Sequence, residues 1–188
     1  MKAINMENVQ EAGTQNSLKA GGYVCKIVNV EDVVDKQYLM IEFDIAEGPN
    51  KDYFKKFEER NNYWSWNAVT YRSYKEKALP MLKRFCSAVT KSNPGYIFDA
   101  GAQNSDEKTL KGKLIGLVLF EEEYVKNNGD IGTRLKVDYE TDVEKIRKGD
   151  FKVKDKVCLP DSQVPATAKG TDFVNIPESC GQEEVPFN

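Results

Sequence analysis

Histidine is missing altogether from the 188 residues of this chain. Its absence excludes Ser-His-Asp and Cys-His catalysis, histidine-ligated zinc and imidazole proton shuttling. Cysteine is scarce: Cys25, Cys86, Cys158 and Cys180 stand 61, 72 and 22 positions apart, so no Cys-x-x-Cys zinc or redox pair exists. No run approaches the ~20 apolar residues that cross a bilayer. The start, Met1–Lys2–Ala3–Ile4–Asn5–Met6–Glu7, has no apolar stretch of signal-peptide length. These absences predict a soluble protein, not associated with membrane, that stays in the cell that makes it and keeps its thiols reduced. There is no Gly-rich phosphate loop of Walker or Rossmann type, and no cofactor or metal is expected.

Hydrophobic residues make up 40% and charged residues 30%, a composition that supports a packed core. The net charge of −3 is spread unevenly. From residue 157 onward five acids face one base, which leaves the preceding body near +1. The same end holds four of the seven prolines, Pro160, Pro165, Pro177 and Pro186, and little apolar periodicity. Residues 157–188 therefore read as a flexible acidic tail that cannot offset its own ordering entropy. Residues 1–20 read as an N-terminal extension and 21–156 as the folded body.

Within the body, Tyr23 to Val30 predicts a first strand, with Val24, Val28 and Val30 on one face and Tyr23, Cys25 and Ile27 on the other. Gln37–Ala46 alternates Leu39, Ile41, Phe43 and Ile45 against Tyr38, Met40, Glu42 and Asp44, a period of two that marks a second strand. A short helix over 51–61 turns Tyr53, Phe54 and Phe57 inward. The aromatic, β-prone stretch Tyr63–Tyr74 predicts a third strand. From Lys77 to Lys91 an apolar stripe, Ala78, Leu82, Phe85, Cys86 and Val89, broadened by Leu79 and Met81, predicts a helix. Ser92–Asn93–Pro94–Gly95 stops it. Lys113–Tyr124 and Thr133–Tyr139, joined by the turn Asn127–Asn128–Gly129–Asp130, complete five strands. A mostly β chain with a helix between strands three and four has the element order of a five-stranded OB-fold barrel.

OB-folds bind oligonucleotides across strands two and three, flanked by the loops between strands one and two and between four and five. Here that region concentrates aromatics: Tyr53, Phe54, Phe57, Tyr63, Trp64, Trp66, Tyr71 and Tyr74 are eight of the chain's twenty. Lys51, Lys55, Lys56, Arg60, Arg72, Lys75 and Lys77 interleave with them. Rings that stack on bases at about 1–3 kcal/mol each, and cations that track phosphates, hold single-stranded nucleic acid. The candidate DNA contacts are Trp64, Trp66, Tyr71 and Tyr53 for stacking, and Lys55, Lys56, Arg60 and Arg72 for phosphates. Lys36, Lys126, Arg134 and Lys136 add charge from the flanking loops. Trp64, Trp66 and Arg72 would share one strand face and Tyr63 and Tyr71 the other, but a small barrel fills its interior with large side chains. Pattern alone leaves open which face is core. Glu121 and Glu123 would share a face in the run Glu121–Glu122–Glu123, the one hint of a metal-dependent nuclease. A strand running out into solvent explains it more simply.

The last residues, Glu183–Glu184–Val185–Pro186–Phe187–Asn188, resemble the acidic tip of bacterial single-stranded-DNA-binding proteins, Asp-Asp-Asp-Ile-Pro-Phe or close to it. Such a tip docks by placing its phenylalanine in an apolar pocket, with the acids on a basic rim. Here Asn188 follows Phe187 and moves the terminal carboxylate one residue on, which leaves two alternatives to the usual bacterial partners: a phage-encoded replication protein, or a tail that serves mainly to compete with DNA for the basic groove.

The body is similar to a family from phages of Gram-positive bacteria, found in replication and recombination gene clusters and regarded as single-stranded-DNA-binding. Tyr38–Ile45 with Ala46–Glu47–Gly48, Lys77–Ala78–Leu79–Pro80 and Ser92–Asn93–Pro94–Gly95–Tyr96 carry the likeness. So do Leu110–Lys111–Gly112–Lys113, Glu122–Glu123–Tyr124 and Ile146–Arg147–Lys148–Gly149–Asp150–Phe151. The resemblance spans most of residues 20–160. It implies a non-enzymatic, sequence-independent binder of single-stranded DNA in phage replication or recombination, acting in the bacterial host cytoplasm. Glu183, Glu184, Val185, Pro186 and Phe187 would recruit partner proteins. A homodimer is compatible with this body, and the rival reading is an OB-fold adaptor that binds protein and not DNA.

Overall fold

A computed structural model describes residues 18–102 and 105–160. The expectations for residues 1–17 and for 161–188, the recruiting residues Glu183–Phe187 among them, lie outside the described residues. The described chain forms one five-stranded antiparallel sheet of β1 (Gly21–Val33), β2 (Tyr38–Ile45), β3 (Val69–Ser73), β4 (Leu114–Val125) and β5 (Ile131–Thr141). Three α-helices accompany them: α1 (Tyr53–Asn61), α2 (Leu79–Ser92) and, after the last strand, α3 (Val143–Lys148). The strand order is β3-β2-β1-β4-β5. Among the described residues no ladder joins β3 to β5, so the sheet is open and the closed barrel expected from the element order is not found.

Side chains, not a ladder, occupy that gap. Arg72 of β3 donates to the Glu140 carboxylate of β5, and α2 packs against β3, β4 and β5 together. The helix does so because Leu82, Phe85, Ala88 and Val89 lie along one buried stripe, as the periodicity of 3.6 requires. Leu79 and Met81, which the sequence adds to that stripe, are exposed instead. Asn93 fastens the end of α2 to the sheet: its side-chain amide donates to the Leu114 carbonyl at 2.8 Å and accepts from the Leu114 N–H at 3.0 Å.

The main core lies between the inner sheet face and α2. Phe43, Phe54, Phe85, Ile27, Ile41 and Leu119 are among its fully buried members. In β1 the ladder to β2 shifts between Ile27 and Asn29. The bulge reverses the alternation, so Cys25, Ile27 and Val30 all face the main core. Only Val24 joins the second cluster, with Val118, Val143 and Ile146. The uniform alternation expected for β1 is thereby corrected: one extra residue moves every later side chain to the other face.

That second cluster lies on the outer face of β1 and β4, under α3. The sequence reading left α3 out, although its signals are present: the Asp142 carboxylate accepts from the Lys145 N–H at 3.0 Å, and Gly149 ends the helix with φ of 72°. Contact between α3 and β4 needs Gly116, where a Cβ would stand 2.7 Å from Ile146 Cγ1 and 2.9 Å from two backbone oxygens. The chain then runs back along β4. Val157 bridges Glu122 in parallel, and the Leu159 N–H donates to Glu123 at 3.2 Å. Residues 157–159, expected to open a flexible tail, are instead tied to β4 through Val157 and Leu159, and the rest of that expected tail lies outside the described residues. Cys25 and Cys86 are free thiols.

Candidate nucleic-acid interface

The aromatic and basic residues of 51–74 divide into three groups by burial. The first supports the fold. Tyr53 is half-buried, its ring edge-on to Phe54 at 5.2 Å, and its hydroxyl accepts from the Leu18 N–H at 3.4 Å. Trp64 is half-buried against the main core, tilted on Phe54 at 6.5 Å. Both rings are engaged on one side with the core, and Tyr53 also lines the cleft between α1 and the β4–β5 hairpin. Residues 63–68 are not strand, which corrects the long third strand. The Ser65 hydroxyl accepts from the Asn67 N–H at 3.3 Å and starts a 3-10 turn over Trp66–Ala68, leaving only Val69–Ser73 for β3.

Arg72 is the second group. Only 6% exposed, its guanidinium bonds Glu140 and the Tyr71 carbonyl. Glu140 also accepts from Arg84 of α2 at 3.3 Å. Burial, together with the like charge of Arg84, lowers the Arg72 pKa to about 10. A guanidinium buried and turned to Glu140 is poorly placed for a phosphate; against the expectation of a DNA contact, Arg72 links β3 to β5.

The third group faces solvent. Trp66 is 76% exposed, Tyr63 54% and Tyr71 46%. Lys55, Lys56 and Arg60 lie exposed on α1. The Lys56 ammonium bonds the Lys51 carbonyl at 3.1 Å and Arg60 the Lys56 carbonyl at 3.1 Å, and among the described residues no acid pairs with Lys55, Lys56 or Arg60. Their helix is held by a buried carboxylate. Asp44 accepts from the Phe54 N–H at 2.9 Å and the Lys55 N–H at 3.2 Å, satisfying amides at the positive end of α1.

Across from α1 and the 66–68 turn stands the β4–β5 hairpin. Phe57 and Asn67 on one side, and Thr133 and Arg134 on the other, line a cleft of about 270 Å³. Arg134 bonds Glu122 at 2.7 Å and Lys136 approaches it at 3.2 Å. Burial would raise the Glu122 carboxyl, but the hydrogen bonds from Arg134 and Lys136 outweigh it and hold it below its ordinary value. Glu123 is committed as well, to Lys156 at 2.7 Å, and no group of three or more metal-ligating side chains occurs among the described residues.

A second aromatic pair lies on the outer face of β2 and β3. The register places Met40 opposite Tyr71 and Tyr38 opposite Ser73, and the Tyr38 and Tyr71 rings meet edge-to-face at 5.3 Å. Tyr38 was not among the candidates, yet the alternation of β2 already puts it on the face opposite Leu39 and Ile41. By the same register Glu31 and Glu42 share that outer face, so it carries acid as well as rings. No protein-family model matches the chain, and no curated protein matches it significantly.

Proposed function

We propose that this chain binds single-stranded DNA without sequence preference, as a non-enzymatic protein of phage replication or recombination in a bacterial host cytoplasm. One observation carries the reading: exposed Trp66 and Tyr63 adjoin a helix whose Lys55, Lys56 and Arg60 have no acidic partner among the described residues, an arrangement suited to stacking bases while neutralising phosphates. Tyr71 and Tyr38 extend the aromatic surface along β2 and β3. The strand order fits an OB-fold whose third and fifth strands are bridged by Arg72 and Glu140 in place of a ladder. Residues Glu183–Phe187 recruit partner proteins in this reading, on the strength of the resemblance of the tip.

Titration with oligo-dT at about 50 and about 200 mM salt, read by tryptophan fluorescence, tests it. Strong quenching that weakens with salt is expected. Absence of binding at low salt, also after removal of 161–188, refutes it. A second reading, a protein-binding adaptor on the same fold, is favoured by Glu31 and Glu42 on the outer face, where they repel phosphates. Indifference to DNA would establish that reading as the better one.

A further inference from the structure

A cavity lies where the N-terminal half of α2 meets the end of the β1–β2 hairpin and the segment around Phe98. It holds about 900 Å³, at the upper end of what small-molecule and anchor-residue pockets occupy. Leu39, Leu82, Phe98 and Cys86 form its apolar lining, and Leu79, exposed at the first position of α2, stands at its mouth. This is why the apolar stripe of α2 is broader than the core requires.

The rim decides what such a pocket accepts. Asp32, Asp99 and Glu107 line it against a single ammonium, Lys83. The Tyr74 hydroxyl donates to Asp32 at 2.9 Å and the Gly101 N–H donates to Asp99 at 2.9 Å, so both carboxylates are held in place. Glu107 makes no ion pair with any described residue. Three carboxylates around an apolar floor repel a nucleic-acid backbone and an acidic peptide alike. They complement an apolar anchor flanked by cations.

We infer that this pocket is a second binding site, for a partner-protein segment with one or two large apolar side chains between lysines or arginines. The site is independent of the DNA reading. It gives the chain a protein-docking surface whose charge preference is opposite to that of α1, so DNA and partner bind without competing for the same groups.

The full chain supplies its own reporter. Cys86 lines the pocket and is half-buried, while Cys25 is fully buried, so iodoacetamide labelling mapped to Cys86 by peptide mass reads occupancy. A displayed library of random peptides is selected on the full chain, and the enriched peptides are synthesised as probes. Enriched sequences should place Trp, Phe or Leu between basic residues and slow Cys86 alkylation about tenfold at saturation. Leu79→Asp, which adds an acid to the first turn of α2 and so suits the helix, should weaken them about tenfold or more. Glu107→Lys should do the same, and both variants should keep the wild-type melting temperature and oligo-dT affinity. Enrichment of acidic peptides, no enrichment, or enriched peptides that leave Cys86 alkylation unchanged overturns the inference. So does protection of Cys86 that rises with protein concentration alone, which would give the pocket to a second copy of the chain.

Discussion

The Arg72–Glu140 pair separates a structural account of β3 from a DNA-contacting one, and its removal has a magnitude that can be stated beforehand. The Glu140 side chain is wholly buried and that of Arg72 nearly so. Breaking a buried pair from one side leaves an uncompensated charge and costs about 3–5 kcal/mol, whereas replacing both partners by apolar residues of similar volume is about neutral or stabilising. The two single variants should also differ. Glu140→Leu strands Arg72 with the Tyr71 carbonyl alone. Arg72→Met leaves Glu140 with Arg84, a partner whose side chain is 46% exposed. Glu140→Leu should therefore be the worst, Arg72→Met intermediate, and the double variant close to the parent. At about 2–4 °C per kcal/mol for a chain of this size, the Glu140→Leu melting temperature should fall by about 6–20 °C. Thermal and urea melts of the four proteins close the cycle. The double variant should retain oligo-dT affinity and its salt dependence. Loss of less than about 1 kcal/mol in Glu140→Leu would refute the burial argument. A salt slope lowered by about one in the double variant would return Arg72 to the phosphates.

Three further outcomes follow from the same geometry. Trp66→Ala should weaken binding of a fluorescein-labelled oligo-dT by about 1–3 kcal/mol without changing the melting temperature. Trp64→Ala should instead lower stability by about 2–4 kcal/mol and lose binding only in step with unfolding; anisotropy and melts on both variants distinguish them. Asp44→Ala removes the acceptor for the Phe54 and Lys55 amides, so it should cost about 1–2 kcal/mol and loosen α1, read as faster amide exchange over 54–57. The third outcome concerns acid. The Lys156 hydrogen bond, opposed by burial and aided by the Leu159 N–H, holds the Glu123 carboxyl below its ordinary value. A depressed folded pKa means stabilisation that is complete above the usual carboxylate range of about 4.3 and lost as pH falls through the folded value. Residues 157–159 should detach from β4 as pH falls through that lowered value, measured as exchange of the Val157 and Glu123 amides. Glu123→Gln should reproduce the detachment at neutral pH, and protection unchanged in that variant would refute the contact.

What the sequence reveals about this fold follows from how local each determinant is. The alternation of Leu39, Ile41, Phe43 and Ile45 against Tyr38, Met40, Glu42 and Asp44 reports a strand because neighbours two apart share a face, and β2 matches it within a residue at each end. The stripe of α2 is legible for the same reason. The bulge in β1 is not, because Val28 has the same chemistry whether it alternates or is skipped. The attachment of Val157 to β4 depends on backbone bonds to Glu121 and Glu123, which leave no mark in composition. Acidity and proline content describe that segment as a whole and do not register the contacts of Val157 and Leu159.

The candidate site was legible as a region and not as a set of side chains, for a reason that Arg72 and Trp66 illustrate together. Both lie in one aromatic and basic stretch, six positions apart, and composition treats them alike. Arg72 becomes structural because Glu140, 68 residues later, meets it across the open edge of the sheet. Trp66 becomes solvent-facing because Ser65 closes a turn one residue before it. One determinant is distant in sequence and the other is a single hydroxyl, and neither alters the periodicity. An aromatic, basic run thus identifies where a small β domain has material for binding nucleic acid. Which side chains remain available is set by the core and by the partners the fold brings to them, and here it leaves Trp66, Tyr63, Tyr71, Lys55, Lys56 and Arg60 as the surface on which the DNA reading stands.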